Sequence, residues 1–552
     1  MFEALSGILN HESRWLALPI VAIALLFRLL ITHRARLPLP PGPPGLPILG
    51  NILAMPTSYQ WRQFHIWNVQ YGPIFRLLAG KDTIIVLADR ESAHELLNKR
   101  SQNYSHRKNI PMAADLLYKG EHMLLKPFDD SYKAHRRNMG PLFTKDASRT
   151  VSPLQDMESI ASMRYLIDYC EGNDKARLDA REYVKHVEDN SGLMDGYCAL
   201  VMALHRFTAS MSYMLVYGFR IETGREPVLA NAHVVEKHFA EAMKPGVWPC
   251  DIVPALNYLP SWLAPWKRTA ERWHQFERAH HTKSCERARK SPAWNWTKAL
   301  MTSKAAKQFD EVSLVYDAAH LNNGGLDTTA QTLEMFVMAA VTNPEKMRVA
   351  QEELDRVVGR DRLPAIEDIG QLPYISAIIQ EVFRWRPITM AGIAHSNLRE
   401  DVYKGYRIPK ESIVIPNYWS IHMDEKVYKD AHLFLPERWL EDPSLPGPVS
   451  FGFGRRVCVG EHIARRALFY VVSRLLWAFE FKKALDDAGN EIDVDTFSVT
   501  DYFLVRPKPF PMRLELRHGA VRQVVDATWE HVEKDPDALM EDMGRYFRER
   551  EW

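Results

Sequence analysis

Phe451-Gly452-Phe453-Gly454-Arg455-Arg456-Val457-Cys458-Val459-Gly460 sets one cysteine among three glycines, with two arginines just upstream. An apolar helical pattern opens just downstream, from Ile463-Ala464. Glycines so spaced let a backbone turn tightly and let a flat or bulky partner come close. A cysteine in such a turn, beside arginines and at the mouth of a helix, is expected to have a depressed pKa and to stand as thiolate. Presented this way it is a nucleophile or a metal ligand, and the loop alone does not choose.

The rest of the chain narrows the choice. Its 552 residues are 46% apolar and 25% charged, an ordinary globular composition with ample core-forming material. A formal net charge of +1 gives no electrostatic footprint for nucleic acid. The other cysteines (Cys170, Cys198, Cys250, Cys285) are scattered, with no C-x-x-C pair, which suits a reducing compartment and supplies no clustered zinc ligands.

Trp15 to Ile31 is almost continuously apolar, broken only by Pro19 and Arg28. Its length lies at the short end of the ~17–25 residues that span a bilayer. A cleaved signal peptide would want a basic start and small residues at the cut. Here Glu3 and Glu12 precede and Thr32-His33-Arg34-Ala35-Arg36 follow, so a retained anchor is expected. Arg28, Arg34 and Arg36 behind the span, against Arg14 ahead of it, put the body of the chain in the cytoplasm. The organisation read from this end is a luminal stretch at 1–14, a transmembrane anchor at 15–31 and a hinge at 32–51. Pro38, Pro40, Pro41, Pro43, Pro44 and Pro47 make that hinge a stiff, extended spacer.

Tyr71–Leu77 and Thr83–Leu87 are turn-bounded, β-branched runs that predict a hairpin. Helical patterns dominate from about Glu91 to Gly359; one opens at Asn343-Pro344 and buries Met347, Ala350, Leu354 and Val357. Short strands are predicted between Ala391 and Pro416 and over Phe503–Arg517. The fold class is α+β, mainly α-helical with small sheets. Trp248–Leu256 and Leu259–Leu263 are apolar and proline-punctuated, either a buried loop or an exposed patch able to enter a membrane. Val521 to Trp552 reads as a solvated, charged helical tail.

Within an expected helix at Asp317–Thr332, Gly324-Gly325 is followed by Asp327-Thr328-Thr329. Paired glycines cost a helix about 1 kcal/mol each. They are expected where a flat ligand lies against the backbone, with an acid and a hydroxyl beside it to disturb the helix and pass protons. Read alone, the stretch is first of all a helix-packing groove with surface polar residues. Glu381 and Arg384 share one helix face at i,i+3 spacing. With Arg438, in Pro436-Glu437-Arg438-Trp439, they predict a network that clamps the segment leading into the cysteine loop.

Together these pieces resemble the cytochrome P450 family of haem-thiolate monooxygenases, over roughly Pro38 to Arg517. F-x-x-G-x-R-x-C-x-G is met at Phe451, Gly454, Arg456, Cys458 and Gly460. The pattern [AG]-G-x-[DE]-T-T is met at Gly324, Gly325, Asp327, Thr328 and Thr329; E-x-x-R falls on Glu381 and Arg384, and P-E-R-[FW] on Pro436–Trp439. The anchor and proline hinge resemble the microsomal branch. The family's W-x-x-x-R appears here as Tyr132-Lys133-Ala134-His135-Arg136, with tyrosine replacing tryptophan.

The resemblance implies a P450 catalytic domain at 52–517, a C-terminal helical tail at 518–552, and haem b (iron protoporphyrin IX) held by Cys458 as axial iron ligand. Arg456, Arg136 and Tyr132 would bind the haem edge. His395 would be either a further propionate partner or a structural strand-end histidine. Gly324 and Gly325 would leave room for O2, and Asp327 and Thr328 would deliver protons. Thr389, Met390, Ala391, Ile393 and Phe503 would line the pocket, in a chamber drawn from 108–119, 317–323, 388–393 and 501–504. The implied activity is insertion of one oxygen from O2 into a lipophilic substrate, by hydroxylation or epoxidation, as in fungal secondary-metabolite and xenobiotic oxidases. Electrons would come from NADPH through a membrane-bound cytochrome P450 reductase, at the endoplasmic reticulum membrane, with a single span and a cytoplasmic catalytic domain. A reductase-independent haem-thiolate isomerase, dehydratase or peroxygenase, or a non-catalytic haem carrier, is the alternative.

Overall fold

The computed structural model describes residues 37–173, 175–176, 194–244 and 246–550; the expected luminal stretch and anchor, 1–31, lie outside them. Long helices carry most of the chain: α1 (Gln60–Tyr71), α2 (Asp130–Met139), α3 (Ser152–Cys170), α4 (Asp195–Tyr217), α5 (Pro227–Ala242), α6 (Pro265–Lys290), α7 (Glu311–Leu326), α8 (Thr328–Thr342), α9 (Pro344–Val357), α10 (Pro373–Trp385) and α11 (Glu461–Ala478). Proline opens α5, α6, α9 and α10, where its missing N–H would be unpaired anyway. The Asp129 and Asp310 side chains cap α2 and α7 by accepting from Tyr132 and Ser313 N–H groups. α9 buries Met347, Ala350 and Leu354, with Val357 half-buried. Asn343 does not cap it; its side-chain amide turns back to the Ala339 carbonyl at 2.9 Å.

α4 is the one described helix long and apolar enough to cross a membrane, but 94% of its apolar window is buried inside the protein. It is the central rod of the core, flanked by α3, α7 and α8. A helix apolar on all sides is buried on all sides.

The predicted hairpin forms as β1 (Ile74–Ala79) and β2 (Asp82–Leu87), antiparallel from Ile74↔Leu87 to Ala79↔Asp82. β3 (His395–Ser396), β4 (Asp401–Tyr403), β5 (Tyr406–Ile408) and β6 (Ile413–Pro416) follow, then β7 (Phe479–Lys483) and β8 (Met512–Leu516). β2 pairs parallel with β6 across more than 300 residues, giving the order β1-β2-β6-β3; β4-β5 and β7-β8 are separate antiparallel pairs. This mainly helical α+β architecture with small sheets matches the expected class.

The helix predicted over 317–332 breaks at Asp327 (φ −108°, ψ −31°) into α7 and α8, where the acid and hydroxyl are expected to disturb it. One expectation changes. The tail is helical but not solvated. α12 (Val521–His531) and α13 (Pro536–Arg548) bury Val521, Val525, Leu539, Met540, Met543 and Phe547 in the main core. Phe547 stacks on Trp294 at 5.0 Å, and Arg522 pairs with Asp168 (2.6 Å) and Glu171 (2.7 Å). The charged residues that suggested solvation lie on the outer faces of amphipathic helices. Between α5 and α6, Cys250 is buried, but Tyr258 (92% exposed), Trp262 (73%), Ile252, Val253 and Leu263 are not, so that half of the segment is an exposed apolar patch.

Candidate functional site

The cysteine loop is shaped by its glycines. Gly452 and Gly454 have φ +83° and +52°, and a Cβ on Gly454 would run into the Leu97 carbonyl oxygen. The Gly454 N–H donates to Asn98 Oδ1 (2.6 Å), and the Cys458 N–H donates to the Phe451 carbonyl (2.8 Å). Gly460 ends the loop and caps α11. The Cys458 side chain is accessible to solvent, yet burial pushes its thiol up. This corrects the expected depressed pKa. The Gly460 N–H and Arg136 pull it down, but desolvation outweighs them; a coordinated metal ion would deprotonate the thiol outright.

The clamp behind the loop forms as predicted. Arg384 grips Glu381 with two hydrogen bonds, Nε to Oε2 at 2.9 Å and Nη2 to Oε1 at 2.6 Å, and both side chains are fully buried. Its other donors reach the carbonyls of His422 (3.0 Å), Ala431 (2.8 Å) and Leu433 (2.9 Å). Arg438 (3.3 Å), the Leu435 N–H (2.9 Å) and the Trp439 indole (3.0 Å) complete the carboxylate's shell. The network reaches the loop through the Ser450 hydroxyl, which donates to the Phe383 carbonyl (2.6 Å), and through Phe383 packing on Phe451 (4.9 Å).

Three arginines gather beside the cysteine without a carboxylate. Arg456 donates to the carbonyls of Ser105 (2.8 Å) and Lys126 (2.7 Å), and Arg136 to Val457 (2.9 Å). Arg107, which no spacing in the sequence singles out, donates to the carbonyls of Leu124 (3.2 Å), Ile393 (3.2 Å) and Ala394. Burial, then Arg456, pushes Arg107 down to about 9. Among the described residues none of the three has an ion pair, and Asp129 acts on Arg456 only from farther off, so the positive charge at this spot is only partly compensated. Buried charges of one sign call for a partner of the other. A group with two carboxylates and a metal facing Cys458, which is what haem b offers, fits that donor set.

Tyr132 and His395 each have a partner in the protein. The Tyr132 hydroxyl donates to the Arg455 carbonyl (3.1 Å) and its ring lies 3.8 Å beneath the Arg456 guanidinium, so it supports the arginine loop. His395 donates Nδ1–H to the Tyr104 carbonyl (2.7 Å), and burial, with Arg107 nearby, keeps it well below its usual pKa. It is therefore neutral, the structural strand-end histidine of the two readings, and Arg107 supplies the third cation instead.

On α7, Gly324 and Gly325 are exposed next to a largely buried stretch at 314–322; a Cβ on Gly324 would meet nothing within 4 Å, whereas one on Gly325 would lie 3.0 Å from Ser212 Oγ. The space beside Gly324 is open. The Thr328 hydroxyl donates to the Gly324 carbonyl at 2.8 Å, replacing a backbone bond where the helix breaks. Asp327 is buried; burial raises its pKa against the pull of His205, His233 and Arg506. His205 of α4, another residue sequence reasoning missed, lies 3.7 Å from Asp327 through Nδ1 and 2.8 Å from Glu334 through Nε2. Glu334 in turn accepts from the Tyr197 hydroxyl at 2.9 Å.

Of the expected pocket residues, Thr389, Ala391, Ile393 and Phe503 are half-buried. Met390 is 1% exposed and packs in the main core, so it offers no surface to the open space. The Gly392 turn (φ +68°) sends it inward, and its carbonyl accepts from the Trp419 N–H (2.9 Å).

Comparison with known proteins agrees with this geometry. The cytochrome P450 family profile matches residues 40–512. The chain is 36% identical to the cytochrome P450 monooxygenase peniB of Penicillium patulum, over 91% of this chain and 89% of that protein. It is 36% identical to the cytochrome P450 monooxygenase aneD of Aspergillus aculeatus, over 95% and 97%. In fold it resembles a zebra fish cytochrome P450 solved with abiraterone, with a TM-score of 0.63 at 24% identity, covering 83% of this chain and all of that one. With its glycine-turned cysteine loop, arginines without an ion pair and split glycine-bearing helix, the chain belongs to the cytochrome P450 family and is a haem-dependent monooxygenase.

Proposed function

We propose that the protein is a membrane-anchored monooxygenase that inserts one oxygen atom from O2 into a lipophilic organic substrate, by hydroxylation or epoxidation. The observation that carries this reading is the Cys458 sulfur beside three arginines that lack an ion pair, together with the open side of Gly324 in α7. Haem bound there supplies the activation and transfer of oxygen. Cys458 would hold its iron, and Arg107, Arg136 and Arg456 would pair with its propionates as charge-assisted donors.

The protein's own contribution is shape and protons. Gly324 keeps the space open, and Thr328 Oγ1 holds its proton on the Gly324 carbonyl with lone pairs left for water. His205, between the carboxyls of Glu334 and Asp327, can take a proton from one side and release it on the other. Half-buried, small to medium Thr389, Ala391 and Ile393 support a lipophilic substrate.

Electrons come from NADPH through a partner flavoprotein reductase. The setting is the cytoplasmic face of the endoplasmic reticulum membrane, supported by the apolar 15–31 span and by exposed Ile48, Leu53, Tyr258 and Trp262. Similarity to enzymes of Penicillium and Aspergillus supports a fungal role in secondary metabolism or xenobiotic oxidation. The reduced, CO-bound protein should show the strongly red-shifted Soret band of a thiolate ligand, and Cys458→Ala should abolish it. Turnover undiminished without NADPH and reductase would overturn the electron supply proposed here.

A further inference from the structure

The wall that leads to the glycine gap is polar at one point. His320 lies one turn before Gly324 on α7, so the two share a helix face. His122 meets it edge-on, with ring centroids 5.1 Å apart and planes at 83°. His122 also stacks on Phe239 of α5 (5.3 Å, 16°), and Phe239 meets Phe503 edge-on at 5.2 Å. Four segments distant in sequence thus build one aromatic wall. It runs from the expected pocket residue Phe503 to the helix that carries the gap. Arg136 ties this wall to the haem seat, since its charge acts on both His320 and the Cys458 thiol.

Several other histidines among the described residues have a ring hydrogen bond. His135 bonds to Asp317 (2.8 Å), His274 to the Leu117 carbonyl (2.8 Å), and His422 accepts from the Val449 N–H (2.9 Å). Among the described residues neither the His122 ring nor the His320 ring has a hydrogen-bond partner, and His122 Nδ1 is fully buried without one. An unpaired polar group inside a protein is costly and calls for a partner supplied from elsewhere. Burial, with Arg136 adding to it, pushes His320 down to about 4; burial, then His320, holds His122 well below its usual value. Each ring is therefore neutral and offers one N–H donor and one acceptor nitrogen.

We propose that His122 and His320 form a polar anchor in the substrate chamber that binds a neutral oxygen function, a ketone or an alcohol, on an otherwise hydrocarbon skeleton. The substrate is then already oxygenated when it arrives, and a reaction that installs a carbonyl or hydroxyl must precede this one. The inference rests on the haem-thiolate reading of Cys458.

The test uses the haem-loaded full chain and a matched pair of rigid probes, decalone and decalin, that differ by one carbonyl. Affinity is read from the spectral shift on displacement of iron-bound water and, independently of the haem, by titration calorimetry. The unaltered protein should bind decalone about tenfold more tightly than decalin, the worth of one well-made buried hydrogen bond. His122→Phe with His320→Leu keeps the ring stack and the apolar volume, and should bring the ratio to about one while the CO-complex band stays intact. Equal or undetectable binding of both probes by the unaltered protein, or a ratio that survives the double substitution, overturns the anchor. A missing thiolate band in the unaltered protein would instead sink the haem-thiolate reading, and the calorimetric ratio would still decide the anchor.

Discussion

Arg384→Leu tests how the helix network and the cysteine loop depend on each other. Arg384 is fully buried and directs two donors at Glu381 and three contacts at the carbonyls of His422, Ala431 and Leu433. Removing one partner of a buried pair costs about 3–5 kcal/mol, because the other charge is left behind. Carbonyls stripped of donors add about 1 kcal/mol each where water does not replace them. Arg438, 3.3 Å from Glu381, recovers part of this by remaining near the carboxylate. The net expectation is a loss of about 5 kcal/mol, against total stabilities of about 5–15 kcal/mol. Urea unfolding followed by tryptophan fluorescence should show that loss, and the reduced CO spectrum should show a chain that takes up little haem. Arg545→Leu, which breaks the exposed Arg545–Asp542 pair (60% and 68% exposed), should leave both readings unchanged. Adding Glu381→Leu to Arg384→Leu should restore part of the stability by removing the stranded charge. A midpoint and haem content for Arg384→Leu equal to those of the unaltered protein would refute the reasoning.

Three further outcomes follow from the geometry. Gly544→Val places a Cβ 3.0 Å from Trp294 and should cost about 1–3 kcal/mol, while Phe547→Ala should cost about 3–5 kcal/mol. A thermal midpoint unchanged in both would return the C-terminal helices to a solvated tail. Asp327→Asn should lower product formed per NADPH consumed by about tenfold or more, and His205→Gln should do so in the same direction but less; unchanged coupling in both variants would remove Asp327 from proton delivery. Glu158 is fully buried between Arg206 (2.7 Å) and Arg220 (2.6 Å), and although burial opposes them, the arginines hold its pKa below the usual 4.5. Its contribution is therefore complete above about pH 4.5 and is lost as pH falls through the lower folded value. Glu158→Gln should be less stable at neutral pH and should show a shallower acid-side fall in Tm; parallel acid limbs for the two proteins would count against this.

Local patterns carried much of the site. The Gly452 and Gly454 turns, the Gly324–Gly325 gap and the Glu381/Arg384/Arg438 spacing state backbone needs that only a few residues meet, so they read directly from the chain. Arg107 carries no such mark. It becomes part of the arginine cluster only because the loop after residue 104 is carried against 393–394 and Arg456. The same meeting of distant segments paired His395 with the Tyr104 carbonyl and turned Met390 into the core, outcomes that residue type could not distinguish.

By itself the sequence determined the class of the protein: helix periods, glycine turns, one cysteine loop and four ordered motifs are local features, each constrained by backbone sterics. Tertiary structure alone decided which charges are paired and which groups are desolvated. It put Arg384 against Glu381 in a dry core and left Arg107, Arg136 and Arg456 without a carboxylate. It buried Cys458 until its thiol rose, and set His122 beside His320. Those outcomes depend on distance and burial between residues far apart in the chain, quantities that no single stretch of sequence contains.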